Sequence, residues 1–212
     1  MVSLMLLACL VQAPEVLDVT TVGKDPRWRI AGRTTAVLDT NGKHALRMIE
    51  VAPVMGLVWL EGYDFGDGTI EADLLGRTQP VQGSFLGVAF HVADGQTYEA
   101  VYFRPFNFRA ADSTRHSHAV QYVSHPGFPW QKLRSERPGQ YEAPVTPEPD
   151  GDQWFHVRVV VERPKVSVFV NDARTPALVV NELSDRTRGS IGLWVGDGSA
   201  GIFANLRVTR KP

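Results

Sequence analysis

The chain has 212 residues, which is enough for one sizeable hydrophobic core and short for two. Hydrophobic residues make up 43% and charged residues 21%, a globular composition that excludes a disordered or fibrous protein. The formal net charge of −1 argues against nucleic acid as a partner, because a phosphate-binding surface normally carries a basic excess.

The first thirteen residues, MVSLMLLACLVQA, are apolar. They are too short to span a bilayer, which needs about 20 apolar residues. We expect residues 1–13 to be a secretory leader, with Val11-Gln12-Ala13 as the cleavage site, and residues 14–212 to form a single secreted or periplasmic domain. Leu6-Leu7-Ala8-Cys9 also fits a bacterial lipoprotein signal, in which the cysteine would carry lipid. The alternative is a buried N-terminal strand or short helix.

From Asp18 onward, apolar and polar residues alternate with a period of two, and Gly, Pro, Asn and Asp interrupt them at short intervals. No apolar period of 3.6 residues runs long enough for a confident helix, and only 178–186 suits a short helical turn. The pattern predicts an all-β sandwich of two antiparallel sheets. The predicted strands are 34–39, 44–51, 56–61, 68–76, 84–92, 97–104, 118–123, 154–162, 165–171, 189–195 and 202–209.

The alternation also separates two faces of each strand. In strand 68–76, Ile70, Ala72 and Leu74 point to one side, which we expect to face the other sheet. The opposite faces of several strands carry small residues among aromatic and charged ones; the small residues are Gly87, Ala89, Ala100 and Gly192. We interpret this second face as a groove with room for a ligand. The alternative is that Gly and Ala only relieve crowding on a curved sheet.

The span 98–134 concentrates aromatic, basic and amide side chains in two short strands and a long loop. Aromatic rings stack on the flat faces of sugars, and the polar groups can donate to or accept from hydroxyls, so we predict a carbohydrate site. Trp130 follows Pro129 on a stiffened loop. The predicted contacts are His91, Tyr102, Arg104, Gln121, His125, Trp130 and Arg134. The alternative is a loop pinned over the sheet by its own rings, Phe106, Phe108 and Phe128.

Four segments resemble secreted bacterial domains of the concanavalin A-like lectin/glucanase superfamily, and the nearest relatives are 3-keto-disaccharide hydrolase-like and laminin-G-like domains. The segments are GLVWLEGYDFGDGTIEADLLGR, GSFLGVAFHVADGQTYEAVYFRPFNFR, HAVQYVSHPGFPWQKLR and GSIGLWVGDGSAGIFANLRV. The resemblance covers about residues 20–210. It implies a jelly-roll sandwich whose concave sheet carries a carbohydrate site, and it does not decide between lectin, hydrolase and adhesion module.

Three acids are candidates for catalysis. Glu71 and Asp73 share a strand face about 7 Å apart, whereas a retaining glycosidase needs two carboxyls at about 5–5.5 Å. The sixteenth glycoside hydrolase family, in the same superfamily, uses Glu-x-Asp-x-x-Glu on such a strand, but Gly76 stands here in place of the final acid. Glu99 is in phase with core residues, and burial could make it a general acid. The alternative for Glu71 and Asp73 is a polar surface role beside Arg104 or Arg158.

We predict no cofactor and no metal site. His116, His118 and His125 could present imidazoles to a metal, but no carboxylate or cysteine completes a spacing motif. Asp64, Asp67 and Asp197 could hold a structural calcium, and turn formation is their plainer role. Cys9, the only cysteine, lies in the expected leader, so the mature domain has no disulfide and no thiol nucleophile.

The sequence therefore predicts a secreted domain that binds an oligo- or polysaccharide on the concave sheet, with glycoside hydrolase-like activity from Glu71, Asp73 or Glu99. A non-catalytic sugar-binding or adhesion module of the laminin-G type is the alternative, and a structural partner of an envelope complex is a third reading. Both carbohydrate readings predict that Trp130→Ala or Arg104→Ala weakens glycan binding with little loss of folding. The oligomeric state is left open.

Overall fold

The computed structural model describes residues 12–51 and 53–211. Most of the expected leader, with Cys9, lies outside these residues. The strands are β1 Glu15–Val16, β2 Trp28–Ala31, β3 Arg33–Thr40, β4 Lys43–Glu50, β5 Gly56–Leu60, β6 Gly68–Leu75, β7 Leu86–Val92, β8 Tyr98–Phe103, β9 Val120–His125, β10 Glu142–Ala143, β11 Phe155–Glu162, β12 Lys165–Val170, β13 Leu178–Asn181, β14 Ser190–Val195 and β15 Gly201–Arg210. The helices are α1 Ser113–His116 and α2 Trp130–Glu136.

The strands form two antiparallel sheets, as the sequence predicts. Sheet I has the order β13-β12-β11-β6-β15-β4-β3, with β1 paired to β15. Sheet II has the order β10-β9-β8-β7-β14-β5-β2. Neighbours such as β6 and β15 are far apart in the chain, so the ladders connect distant segments, as in a sandwich rather than a simple meander.

The core lies between the sheets and contains the residues that the alternation assigns to it. Ile70, Ala72 and Leu74 of β6 are fully buried, as are Val88 and Phe90 of β7. Burial of this apolar surface is the main stabilising term of such a fold, at about 25 cal/mol for each Å² removed from water. In the described part of the chain, no helix is both long enough and apolar enough to cross a membrane.

Three local predictions differ from the structure. The segment 178–186 begins with strand β13 rather than a helical turn, because Val180 pairs with Val166 of β12 and is buried there. Helix α2 lies in a segment for which no helix was predicted, since seven residues span only two turns and show little periodicity. Strand β9 begins two residues later than predicted, because α1 and its C-terminal turn occupy residues 113–118.

Candidate functional site

A cleft of about 1030 Å³ opens on the outer face of sheet II, the face that carries the small residues of β7, β8 and β14. Strand residues form its floor, while α2 and the loops that follow β8 form one wall. Five residues of the predicted carbohydrate site line it: Tyr102, Arg104, His125, Trp130 and Arg134. The structure therefore places most of the predicted binding residues on one surface.

The floor of the cleft is aromatic. The rings of Tyr102 and Trp194 have centroids 4.6 Å apart, and both residues pair in register with Gly87 of β7. A Cβ atom on Gly87 would lie 2.0 Å from the Val101 carbonyl oxygen and 2.5 Å from the Tyr102 Cα. Gly87 therefore permits the close approach of β8, rather than leaving open space for a ligand.

Arg104 lies beside this floor and is buried. Its Nη2 donates to the Tyr102 hydroxyl at 2.7 Å and to Oε1 of Gln121 at 2.5 Å, and its Nη1 donates to the His118 carbonyl at 2.8 Å. Burial lowers the pKa of Arg104 and raises the pKa of Tyr102 to about 12, so Tyr102 keeps its proton. Among the described residues, no carboxylate lies within 4.0 Å of the Arg104 guanidinium. The result is a fixed positive charge at the floor of the cleft.

Gln121 lies beneath this surface rather than in the cleft lining. Its Oε1 also accepts a hydrogen bond of 2.9 Å from the Tyr102 hydroxyl, so it orients both Tyr102 and Arg104. Its buried Nε2 has no hydrogen-bond partner within the residues that the structure describes. Gln121 is predicted from the sequence to contact the sugar directly, but in this geometry it lies behind Tyr102 and Arg104 and supports them.

Helix α2 supplies the wall. Trp130 and Arg134 are four residues apart and so share one face of the helix, and the Arg134 guanidinium lies 4.9 Å from the Trp130 ring centroid. Arg134 also makes two hydrogen bonds to the buried Glu142, at 3.1 and 2.7 Å. The indole is 40% exposed and offers its surface to a ligand.

His118 stands between this wall and the floor. Its Nε2 lies 3.2 Å from Oε1 of Glu142, which favours the tautomer with the proton on Nε2 and the lone pair on Nδ1. Burial lowers the pKa of His118, although the Glu142 charge acts in the opposite direction. The imidazole is therefore neutral near pH 7 and can accept a proton in the cleft.

His125 lies at the far end of the same surface. Its ring is 5.0 Å from that of Tyr98, and its pKa is lowered by burial and by the nearby Arg186. His125 is thus a second neutral imidazole that can exchange hydrogen bonds with a hydroxyl-rich ligand.

Glu71 and Asp73 do not lie in the cleft. Both are on β6 of sheet I, where they face away from the core and contact His156 of β11, at 3.3 and 2.8 Å. Asp73 also accepts hydrogen bonds from Lys43 and Asn205. The alternation in the sequence shows which β6 side chains share a face, but it does not show in which sheet β6 lies.

Glu99 and His91 lie in the interior and not in the cleft. Glu99 is fully buried on the core face of β8 and accepts hydrogen bonds from Tyr122 and Ser184. His91 is also fully buried, and its Nε2 contacts the Gly66 carbonyl. The structure thus separates the three acids proposed for catalysis: two lie on the outside of sheet I and one is inside the sandwich.

Three residues of the site are absent from the predicted binding set. The sequence indicates His118 only as a possible metal ligand. Trp194 of β14 pairs opposite Gly87 and lies close to Tyr102, a placement that depends on strand order. Glu142 belongs to a strand of two residues after a long loop and carries no local signal. Its role arises from pairing with Gln121 across β9 and β10, which brings it to His118 and Arg134.

Comparison with solved structures places the fold. A carbohydrate-binding module, CBM66 from Bacillus subtilis, is 15% identical with a TM-score of 0.58 and covers 85% of this chain and 93% of its own. The Ca²⁺- and mannose-bound luminal domain of VIP36 is 12% identical, with a TM-score of 0.59 and coverages of 93% and 89%. The Bacillus licheniformis β-glucanase is 11% identical, with a TM-score of 0.55 and coverages of 95% and 100%. The fold is a concanavalin A-like jelly roll, as the resemblance implies.

A comparison with curated proteins found no significant match. The sequence profile of one family, however, matches residues 23–209 and so spans strands β2 to β14, nearly all of β15 and every residue that lines the cleft. The resemblance to 3-keto-disaccharide hydrolase-like domains is thereby confirmed. The chain belongs to the family of 3-keto-α-glucoside-1,2-lyase-like domains.

Proposed function

We propose that this protein binds carbohydrate in the cleft on sheet II. The observation that carries the proposal is the pairing of the half-exposed Trp130 indole with the fixed guanidinium of Arg134 beside an aromatic floor. An indole face packs on the C–H face of a pyranose, while charged and amide groups at its edge bind the ring hydroxyls. A carbohydrate-binding module and a mannose-bound domain with the same fold support this choice of ligand.

We further propose that the bound sugar is a substrate and that the reaction is an elimination. Among the described residues that line the cleft, Asp197 is the one carboxylic acid. Glycosidases commonly need two carboxyls on either side of the scissile bond. The cleft provides instead a neutral imidazole, His118, and an unpaired guanidinium, Arg104, with a tyrosine hydroxyl between Arg104 and Gln121. This set suits proton abstraction next to a carbonyl.

In a 3-keto-glycoside, the proton on C2 is acidic because it is adjacent to the C3 carbonyl. Nδ1 of His118 would remove that proton, and the C–H electrons would form an enolate whose oxygen accepts from the N–H groups of Arg104 that its three protein acceptors leave free. Collapse of the enolate forms the C1–C2 double bond, restores the C3 carbonyl and expels the glycosidic oxygen from C1. That oxygen leaves as an alcohol after protonation, so no water is consumed.

The first test is a glycan array on the purified protein, followed by product analysis of each hit. The second uses p-nitrophenyl α-glucoside and its 3-keto derivative in ¹⁸O-labelled water. Elimination predicts release of nitrophenol from the keto substrate alone, with no ¹⁸O at C1 of the primary product. Binding with both sugars recovered intact would make the cleft a recognition site, and ¹⁸O at C1 would establish hydrolysis.

A His118→Asn variant tests the role of the base and should lose at least about 100-fold in kcat, since general bases commonly contribute that much. His116→Asn is the matched control, because His116 pairs with Glu148 and does not line the cleft. Equal loss in both variants would contradict the assignment of His118.

A further inference from the structure

A second cluster of ionisable side chains lies inside the sandwich. It joins His91 of β7, Glu99 of β8 and Glu182, the residue that follows β13. The His91 and Glu99 side chains have no solvent exposure, and that of Glu182 is 4% exposed. Burial of two carboxylates and an imidazole is costly unless something of opposite charge lies among them.

Hydrogen bonding to Gly66 sets the orientation of the imidazole. Nε2 of His91 lies 3.1 Å from the Gly66 carbonyl oxygen, which can only accept, so Nε2 carries the proton. Nδ1 then faces Oε1 of Glu99 and Oε1 of Glu182, each 3.5 Å away, and in the tautomer whose one proton is on Nε2 it presents a lone pair to them. Within the described chain, neither Nδ1 of His91 nor Oε1 of Glu182 has a hydrogen-bond partner. Lone pairs from three residues therefore converge on one point.

The spacing of these atoms matches a metal site. Two ligands at about 2.0–2.1 Å from a tetrahedral zinc ion are about 3.3 Å apart. The two distances from Nδ1 are 3.5 Å, and the ligand atoms of all three residues lie within 4.8 Å of one another. One nitrogen and two carboxylate oxygens suit a first-row transition ion, whereas calcium takes 6–8 oxygens.

The surrounding groups orient the ligands as outer-shell partners of metal sites do. The Gly66 carbonyl holds the far nitrogen of His91, and the hydroxyls of Ser184 and Tyr122 donate to the two oxygens of Glu99. These hydrogen bonds hold the Glu99 carboxylate in one orientation.

We propose that His91, Glu99 and Glu182 bind one divalent transition-metal ion of the zinc type, which ties the segment after β13 to the inner face of sheet II. The segment is already joined to this sheet by Ser184, through Glu99, and by the Leu183 amide, which donates to the Tyr122 hydroxyl. A metal bond to Glu182 adds a third attachment. Its role would be structural, because the site is closed to solvent and separate from the cleft lining.

Two arginines also face the acids. Nη2 of Arg186 lies 3.6 Å from Oε1 of Glu99, and Nε of Arg163 lies 3.8 Å from Oε2 of Glu182. They reduce the negative charge of the cluster, but Nδ1 of His91 and Oε1 of Glu182 still have no hydrogen-bond partner in the described part of the chain.

The test uses the whole protein, stripped with EDTA, reloaded with zinc chloride at pH 7.5 and desalted before elemental analysis. We expect one zinc per chain and a higher melting temperature with zinc than without. Glu182→Gln keeps the shape of the side chain and should lower zinc affinity at least about tenfold.

His156→Asn is the matched control. His156 also contacts two carboxylates, but its two nitrogens face different ones, Asp73 and Glu71, so no common point exists for an ion. This variant should bind zinc as the natural protein does. Absence of stoichiometric zinc from the natural protein, or equal affinity in Glu182→Gln, would overturn the proposal. If circular dichroism shows that Glu182→Gln does not fold, Glu99→Gln takes its place and should likewise lower zinc affinity. The natural protein should still melt at a higher temperature with zinc, and failure of either result would overturn the proposal.

Discussion

The Arg134 guanidinium lies 4.9 Å from the centroid of the Trp130 ring, and it also forms a bidentate salt bridge with Glu142. Trp130 and Arg134 are on α2, whereas Glu142 is on β10 at the edge of sheet II. The salt bridge therefore fixes the helix to the sheet and sets the orientation of the indole. The same carboxylate approaches His118, so one buried acid connects the stacking surface to the imidazole in the cleft.

Replacement of the exposed indole should remove affinity without removing stability. Trp130→Ala deletes a ring that is 40% exposed and lies outside the hydrophobic core, so the packing between the sheets is kept. An aromatic contact contributes about 0.5–1.5 kcal/mol beyond the area it buries, and 1.4 kcal/mol is a factor of ten in Kd. We expect glycan affinity to fall about tenfold or more by calorimetry, with an unchanged melting temperature. Val179→Ala, an exposed site on sheet I, is the control, and an equal effect there would contradict the assignment.

Removal of the Glu142 charge should make His118 less basic. The Glu142 carboxylate acts to raise the pKa of His118 against the effect of burial, so Glu142→Gln should lower that pKa further. A titration of the His118 ring followed by NMR measures this directly. The same variant breaks the salt bridge with Arg134 and should weaken glycan binding. An unchanged or higher His118 pKa would show that the two side chains do not interact in solution.

Replacement of Arg104 should affect folding as well as binding. The sequence alone predicts little loss of folding for Arg104→Ala, but the side chain is buried and donates to Tyr102, Gln121 and the His118 carbonyl. Its removal leaves buried acceptors without donors, and each such group costs about 1–3 kcal/mol. We expect a loss of about 2–4 kcal/mol in the free energy of unfolding, measured with urea. Arg109→Ala is the control and should cost much less, because the Arg109 side chain is 59% exposed and its partner Asp150 lies at the surface.

The sequence predicts the faces of the strands well, because alternation is a local property. Ile70, Ala72 and Leu74 are in the core as expected. It does not predict which strands are neighbours, since ladders such as β6 with β15 join distant segments. For that reason the sequence groups Glu71 and Asp73 with a site that lies on the other sheet, and it does not indicate that Glu142 contacts His118.

The span 98–134 was informative because both ends of the site lie within it. Tyr102 is on β8 and Trp130 is on α2, and β9, which lies between them in the chain, pairs with β8, so a local concentration of rings indicates a shared surface. Glu99 lies in the same span, yet the structure places it inside the sandwich with Glu182, 83 residues further along the chain. The alternation in β8 predicts that Glu99 faces the core. It does not predict which side chains surround Glu99 there, because they come from distant parts of the chain.

The floor of the cleft should not tolerate a side chain at position 87. A Cβ there would meet the backbone of Val101 and Tyr102 at 2.0 and 2.5 Å, so Gly87→Ala must displace β8 from β7. Forced overpacking of this kind costs about 1–3 kcal/mol. We expect a lower melting temperature and weaker glycan binding together. Gly127→Ala is the control, because nothing lies within 4 Å of its Cβ position, and an equal loss there would show that the effect is not steric.

The cluster of His156 with Asp73 and Glu71 should make stability depend on pH. The hydrogen bond from His156 to Asp73 raises the pKa of the imidazole in the folded protein above its unfolded value of about 6.5. A raised histidine pKa means that the folded state binds the proton more tightly, so this stabilisation is full below about pH 6.5 and is lost as the pH rises through the folded value. The pKa of Asp73 is lowered in the folded state, so the contribution also declines in strong acid.

The difference in melting temperature between the natural protein and His156→Asn should therefore be largest near pH 5–6 and should shrink at pH 8 and above. A double-mutant cycle with Asp73→Asn isolates the interaction energy between His156 and Asp73 from the individual effects of the two substitutions, because a direct interaction disappears once either partner is gone. Since the ring is partly exposed, added salt should reduce the difference as well. A difference in melting temperature that grows with pH would contradict this prediction, and it would mean that the His156 ring binds the two acids in its neutral form.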